Sequence, residues 1–200
     1  MIAVLRSELN RTLMIRASWV SIAATIALGL TFGVYSADFW TLFAGIGAFG
    51  LAVLTTGQHY QHRTAMLLML GEPRRWRLLI GQCVAAAVVA TVTTALSGLT
   101  VADEPAQWRL TVALTPIVAV LGVAVATVVR RPTWAMAGTV GWLLIAEGLL
   151  GKLRAPLPFS AYLNAASSEG DSKQLLIFVA WTAVALVAAG AMIRRDMVSH

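Results

Sequence analysis

The sequence has very little charge. Asp, Glu, Lys and Arg make up 12% of its 200 residues, against about a quarter in soluble domains. Hydrophobic residues make up 58%, and a chain of this length cannot enclose that much apolar surface in water. The composition therefore excludes an ordinary soluble domain and indicates a membrane protein. The net charge of +6 does not indicate nucleic-acid binding, because the basic residues lie between apolar runs and no separate basic domain exists.

Residues that carry chemistry are also scarce. The single cysteine, Cys83, lies in an apolar run, so an internal disulfide is excluded and no Cys/His zinc pattern is present. The chain has no Gly-x-x-x-x-Gly-Lys-Ser/Thr phosphate loop, no Gly-x-Ser-x-Gly elbow and no His-Glu-x-x-His motif. These absences argue against a membrane-embedded enzyme, and we expect this chain to bind no cofactor or metal of its own.

What the sequence does have is a series of long apolar runs. A membrane-crossing helix needs roughly 20 mostly apolar residues, and its backbone groups must pair within the helix because lipid offers them no partner. The sequence predicts an all-α, polytopic membrane protein with a single transmembrane domain. Its six predicted spans are residues 17–35, 39–56, 79–101, 110–129, 134–150 and 175–193. A cleaved signal peptide is the competing interpretation of the first run.

The charges between the runs predict the orientation. With the N-terminus inside, most of the 15 Lys and Arg residues lie in cytoplasmic segments. The outer segments then hold only Arg109, Lys152, Arg154 and Lys173. Because basic residues gather on the cytoplasmic side, both termini are predicted to be cytoplasmic.

Residues 1–16 form a separate predicted element. Ile2, Leu5, Leu9 and Leu13 recur at three- and four-residue spacing and so form one apolar stripe. This pattern predicts an amphipathic helix that lies on the inner membrane surface. A simple cytoplasmic extension of the first span is the alternative.

The cytoplasmic loop of residues 57–77 is predicted to contain a short apolar helix. Thr64 can cap this helix, and Gly71 and Pro73 end it. The helix carries Met66, Leu67, Leu68, Met69 and Leu70. It is too short to span the membrane and too apolar to lie in water. It either packs against the chain's own helices or the lipid, or inserts into a groove on a soluble partner.

Glu147 is the one acidic residue inside a predicted span. A carboxylate in a membrane is costly unless it is paired, protonated or in a wet cavity. An ion pair with Arg154 or Lys152 at the outer end is one interpretation. A place in a substrate path is the other.

Small and hydroxyl residues mark two more stretches. Thr93, Ser97 and Thr100 share a face of span three, where they either bond to neighbouring helices or line a route. Gly45, Gly47 and Gly50 match a Gly-x-Gly-x-x-Gly dinucleotide fingerprint, but they lie in the middle of a span. Close helix packing is the better interpretation, since Ala44, Ala48 and Ala52 follow at four-residue spacing.

Short phrases along the chain resemble those of one family. Leu5-Arg6-Ser7-Glu8-Leu9 precedes span one, and Arg130-Arg131 follows span four. Tyr60-Gln61-His62-Arg63-Thr64 and Pro73-Arg74-Arg75-Trp76-Arg77 flank the short apolar helix. Trp142 to Glu147 and Pro158-Phe159-Ser160 come next. In this order the phrases resemble the type-2 membrane-spanning permease subunits of bacterial ATP-binding-cassette exporters. Relatives often carry an acidic residue where His59 stands and a lysine where Gln82 stands.

The resemblance implies a function, partners and sites. A second permease chain, identical or different, would pair with this one in the bacterial plasma membrane, and separate ATPase subunits would hold ATP and Mg. The residues implied to couple to the ATPase are Thr64, Met66, Leu67, Leu68, Met69, Leu70, Pro73, Arg74 and Arg75. Residues 151–173 would form an outer re-entrant or interfacial segment, and Thr93, Ser97, Thr100 and Glu147 are possible route residues. The cargo would be amphiphilic or lipid-like. A scaffold or regulatory subunit that docks a soluble partner without transport is the alternative function.

Overall fold

The computed structural model describes residues 14–61, 75–153, 155–167 and 170–195, together with Ser7 and Asn10. Every regular element in these residues is a helix, which confirms the all-α prediction for this part of the chain. Five of the helices are long and apolar enough to cross a membrane. The described chain therefore has the architecture expected of a multi-pass membrane protein.

The helices follow one another with short connections. They are α1 (Arg16–Gly33), α2 (Ala37–Gln61), α3 (Arg75–Ser97), α4 (Pro105–Val129), α5 (Pro132–Gly141), α6 (Pro158–Ala166) and α7 (Ser172–Arg195). A 3-10 turn, Leu99–Val101, follows α3, and α5 continues directly into a π-helix, Trp142–Leu150. The five long apolar helices are α2, α3, α4, α5 with its π-helix, and α7, whereas the apolar part of α1, Ser18–Gly33, is shorter.

Two sequence predictions fall on residues that the structure does not describe. The apolar stripe of Ile2, Leu5, Leu9 and Leu13 is one of them. The short cytoplasmic helix, with the rest of residues 62–74, is the other. Both stay predictions.

Helices α2 and α4 form the centre of the bundle, and α4 also contacts α3, α5, α6 and α7. Their backbones approach closely because Gly122 on α4 has no side chain. A Cβ atom there would lie 2.8 Å from the carbonyl oxygen of Phe49 and 2.9 Å from the Cβ of Ala52. Small residues at this crossing let two membrane helices gain packing contacts that larger side chains would prevent.

The Gly-x-Gly-x-x-Gly motif is a packing feature of α2. Gly45 faces the ring of Tyr162 on α6, Gly47 faces Thr25 on α1, and Gly50 faces Met136 on α5. Ala44, Ala48 and Ala52 are each 1% exposed. The motif therefore lets three different helices pack against one, as the packing interpretation predicts.

Helices α1 and α2 form a tight hairpin. Residues 34–36 connect them, and the Ser36 hydroxyl accepts hydrogen bonds from the backbone N–H groups of Asp38 and Phe39, which caps α2. The rings of Phe32 and Phe43 stack across the hairpin with centroids 3.7 Å apart. The cap and the ring pair fix the angle at which the chain reverses.

The two ends of the bundle differ in their connections. One end, the Arg130 end, holds the tight turn between α4 and α5, where Arg130 adopts a left-handed conformation with φ 59°. There Pro132 packs against Gly57 of α2. The other end, the Asp38 end, holds the start of α2, the end of α3 and the start of α4. These two names are used below.

Candidate functional site

The residues expected to couple to an ATPase are largely outside the described part of the chain. Thr64, Met66, Leu67, Leu68, Met69, Leu70, Pro73 and Arg74 are not described. Arg75 is the first residue of α3, and the side chain of Trp76 beside it is 67% exposed. The loop that would carry the coupling helix joins the end of α2 to the start of α3, at the Arg130 end.

The hydroxyl residues of α3 lie in different surroundings. Thr93 and Ser97 are buried inside the chain's own bundle, and Thr100 is exposed in the 3-10 turn after α3. Thr93 donates to the carbonyl of Val89 at 2.8 Å, and Ser97 donates to the carbonyl of Thr94 at 2.9 Å. Both hydroxyls thus satisfy their donors within their own helix, which makes them tolerable in lipid.

Ser97 also connects α3 to α2. Its Oγ accepts a hydrogen bond of 3.1 Å from the indole Nε1 of Trp40, which is fully buried. The indoles of Trp40 and Trp108 both pack against Gly98, where a Cβ atom would lie 2.5 Å from each. Two aromatic rings therefore close over the end of α3 at the Asp38 end.

A second polar cluster ties α2 to α4 at the same end. The Thr41 and Thr111 hydroxyls are 3.1 Å apart. The Nε2 of Gln107 donates to Oδ1 of Asp38 at 2.9 Å and to Oγ1 of Thr41 at 3.2 Å. Hydrogen bonds of this kind hold membrane helices in one register. The sequence shows that Thr41 and Thr111 interrupt apolar runs, but it does not show that they face each other.

Glu147 accepts four hydrogen bonds from the described residues. It is 0% exposed and lies in the π-helix, one turn after the buried Leu143. Its Oε1 accepts from the indole Nε1 of Trp142 and from the backbone N–H of Phe159, each at 3.1 Å. Its Oε2 accepts from the backbone N–H and, at 2.7 Å, from the hydroxyl of Ser160. We call these interactions the Glu147 clamp.

The clamp caps the N-terminus of α6. Pro158 is the first residue of α6, so Phe159 and Ser160 are the second and third. Their N–H groups have no partner within the helix, and the helix dipole favours a negative charge at this end. A carboxylate from another helix thus supplies what a capping side chain of α6 would otherwise provide.

The described partners of Glu147 are hydrogen-bond donors, and the predicted ion pair with Arg154 stays a prediction. Within the described residues all four come from the π-helix and α6, and Lys152 has an exposed side chain. Arg154 is not described. Backbone N–H groups can satisfy a carboxylate as well as a cation does, and every residue but proline carries one. The sequence therefore singles out the acid but not its partners.

The π-helix explains how Glu147 comes to point inward. Ala135, Leu143 and Glu147 are buried, and Thr139 is half-buried, so one face repeats every four residues from α5 into the π-helix. In an uninterrupted α-helix each such step turns the side chain about 40° away from the face. The wider π-helical turn, with Gly151 N–H bonded to the carbonyl of Ala146 five residues back, offsets that drift.

Two residues with positive φ follow the π-helix. Lys152 and Leu153 have φ of 47° and 55°, a conformation that costs non-glycine residues about 1–2 kcal/mol each. The Leu153 N–H donates to the backbone carbonyl of Glu147 at 2.8 Å, and Asn164 of α6 donates to the carbonyl of Leu153 at 3.3 Å. Hydrogen bonds to the π-helix and to α6 therefore stabilise the turn between them.

Helix α6 packs into the bundle as well as onto the clamp. The Tyr162 hydroxyl donates to the carbonyl of Thr41 at 3.1 Å, a contact that Gly45 makes possible. The Phe159 ring packs edge-on against Phe49, with centroids 5.6 Å apart. This short helix therefore lies between the π-helix and α2, within the segment predicted to be re-entrant or interfacial.

The structure divides the four predicted route residues among three places, and Thr100 lies apart in the exposed 3-10 turn after α3. Thr93 and Ser97 lie at the interface of α3 with its neighbours, while Glu147 lies between the π-helix and α6. Within the described residues, no group of three or more His, Cys, Asp or Glu side chains could hold a metal ion.

A comparison with protein-family models and with curated proteins finds no match.

Proposed function

We propose that this chain is the membrane-spanning permease subunit of an ATP-binding-cassette exporter. In this proposal it has six spans, α1 included, with both termini in the cytoplasm of a bacterial plasma membrane. A second permease chain completes the route, and separate ATPase subunits supply the energy. The observation that carries the proposal is the apolar segment of residues 66–70 in the loop between two long apolar helices, because such a segment needs an apolar surface to cover it and a groove on an ATPase subunit would provide one.

The arrangement of basic residues supports the orientation. The loop between α2 and α3 and the turn between α4 and α5 lie at the same end, since Gly57 packs against Pro132. Arg130, Arg131 and the segment Arg75-Trp76-Arg77 therefore belong to one end of the bundle. Trp76 and Trp134 at this end are each 67% exposed, as suits the interface between lipid and water. We assign the Arg130 end to the cytoplasm.

The route is proposed to form when helices separate. Thr93 and Ser97 are packed inside the chain, so a substrate reaches them only if α3 moves away from α2 and the Trp40–Ser97 bond opens. The helices offer apolar outer surfaces and few fixed charges, which favours an amphiphilic or lipid-like cargo. ATP and Mg would stay on the ATPase subunits.

Replacing Leu67 and Leu68 with Asp tests the coupling role. We expect the double variant to lose co-purification with an ATPase subunit in mild detergent, because two charges cannot enter an apolar groove without large desolvation costs. The matched control is Thr133→Asp, which places a negative charge on an exposed residue at the same end of the bundle. Equal ATPase recovery with L67D/L68D and wild type would remove the coupling role.

The same complex distinguishes a permease from a scaffold. A permease changes the turnover of its ATPase when an amphiphilic cargo is added, whereas a docking scaffold leaves this turnover unchanged. The measurement is ATP hydrolysis by the purified complex in lipid nanodiscs, with and without amphiphiles of different chain length. A turnover that no amphiphile alters would favour the scaffold.

A further inference from the structure

Helix α6 packs most extensively against α7 and is anchored by hydrogen bonds to two further parts of the bundle. Its N-terminus is bonded to Glu147 on the π-helix, and its middle is bonded through Tyr162 to α2. Helix α2 belongs to the centre, because 61% of the residues in its most apolar 18-residue stretch are buried. The span that contains the π-helix belongs to the periphery, with 17% buried. Any movement between the centre and the periphery must therefore strain one anchor or the other.

The two anchors differ in strength. Three of the four donors to the Glu147 carboxylate lie on α6, since Trp142 belongs to the π-helix itself, and hydrogen bonds to a charged group are roughly twice as strong as neutral ones. The anchor to α2 is one neutral hydrogen bond of 3.1 Å from Tyr162, together with the edge-on packing of Phe159 on Phe49. Opening the clamp leaves a carboxylate and two backbone N–H groups without these partners in a buried site. Opening the Tyr162 hydrogen bond is less costly. It frees one hydroxyl, and the Thr41 carbonyl can still accept from the backbone N–H of Gly45 within α2.

We propose that Glu147 is a positioning residue that makes α6 move with the π-helix rather than with α2. In this arrangement the Tyr162–Thr41 contact is the one that opens, and the clamp stays closed. The consequence for transport rests on the proposed function: α6 and the π-helix would shift as a unit when the ATPase closes. The consequence for the chain alone, which is a locally protected α6 N-terminus, does not depend on it.

The backbone N–H groups of Phe159 and Ser160 report on the clamp directly. As the second and third residues of α6 they have no acceptor within the helix, and Glu147 is the acceptor that the described residues give them. Hydrogen–deuterium exchange of the full chain in lipid nanodiscs, read on fragments that end within α6, measures this protection. The measurement needs neither an ATPase nor a cargo.

The test compares Glu147→Gln with Tyr162→Phe. A Gln side chain turns an NH₂ group toward donors that need an acceptor, so we expect exchange at Phe159 and Ser160 to rise at least tenfold while α2 and α4 keep their protection. Tyr162→Phe removes the other anchor and should leave these two amides protected. Trp142→Phe, which removes one donor and keeps the carboxylate, should raise the exchange only slightly. The retained protection of α2 and α4 shows that the Gln variant is folded.

Two results would overturn the proposal. One is unchanged exchange at Phe159 and Ser160 in Glu147→Gln. The other is a rise in Tyr162→Phe as large as that in Glu147→Gln. In a complex with an ATPase, cargo should stimulate ATP hydrolysis less in Glu147→Gln than in Tyr162→Phe, whereas a purely structural role of α6 would lower the stimulation in both variants. If no ATPase co-purifies, the export proposal fails, and the exchange result still decides the role of Glu147.

Discussion

The central and peripheral helices of this bundle are held by different means. In the most apolar 18-residue stretch of each helix, 61% of the residues of α2 and 56% of those of α4 are buried. The corresponding share is 17% in the α5–π-helix span and 17% in α7. The centre packs small residues such as Gly122 and Ala52 at close range. The periphery exposes large apolar side chains such as Leu144, Leu149 and Val187. In lipid this exposure carries little cost, so the peripheral helices need only a few specific contacts to stay in place.

The comparison teaches where a substitution matters. In the centre the backbone spacing is the sensitive quantity, because many atoms lie in contact and a void or a clash is felt at once. In the periphery most positions face outward, and the sensitive quantity is a small number of polar contacts, chiefly the Glu147 clamp. Three substitution experiments probe this contrast.

Replacing Glu147 with Leu is expected to have the largest effect. The buried N–H groups of Phe159 and Ser160 lose the acceptor that the described residues give them, and the free energy of unfolding should fall by about 2–5 kcal/mol. The measurement is unfolding in mixed micelles of increasing SDS fraction. The control is Glu104→Leu, since Glu104 is exposed and its side chain does not cap α4. Similar losses for the two variants would mean that the periphery does not depend on the clamp.

Adding a methyl group to the centre should have the next largest effect. A Cβ atom on Gly122 meets the Phe49 carbonyl oxygen at 2.8 Å, so Gly122→Ala should destabilise the chain by about 1–3 kcal/mol. The matched control is Gly138→Ala on α5, where nothing lies within 4 Å of the new atom. The control should leave stability unchanged or raise it by about 0.5–1 kcal/mol, because Ala is the better helix former. A neutral Gly122→Ala would show that the central spacing is not tight.

The smallest expected effect concerns the Thr41–Thr111 hydrogen bond. A double-mutant cycle with Thr41→Val and Thr111→Val should give a coupling energy of about 0.6 kcal/mol, since hydrogen bonds between membrane helices are weak on average. Thr31→Val serves as the reference, because that exposed hydroxyl bonds only to Ala27 of its own helix. A coupling energy of zero would leave side-chain packing alone to hold α2 against α4.

Hydropathy and the residues that start and end helices predict much of this fold. The apolar runs at residues 39–56 and 110–129 fall within α2 and α4, and the structure extends each helix to a start at Ala37 or Pro105. A run length cannot show that the segment of residues 134–150 changes from α-helix to π-helix, because both parts are apolar. The one trace of the change in the sequence is the four-residue repeat of Ala135, Thr139, Leu143 and Glu147. Four-residue spacing also occurs in an α-helix, so this repeat does not predict a π-helix.

The candidate site is predictable only in part, for a related reason. Glu147 stands out in the sequence because a carboxylate in an apolar run is costly. Its acceptor role at α6 depends on backbone N–H groups, which every residue but proline has and which no side-chain pattern reveals. Pro158 is the one indication, since proline favours the first position of a helix and thereby marks where such groups become free. Pairings such as Trp40 with Ser97 depend on how helices rotate, and composition does not fix that rotation.

The short hairpin of α1 and α2 has a consequence for the bilayer itself. The apolar part of α1, Ser18–Gly33, covers only about 24 Å at ~1.5 Å per residue, and a typical hydrocarbon layer is about 30 Å thick. Because residues 34–36 and the Ser36 cap connect α1 closely to α2, α1 has little freedom to shift along the membrane normal and so compensate for its short apolar length. If α1 crosses the membrane, the lipids beside it must shorten or tilt, and we expect a locally thinned annulus on that flank of the protein.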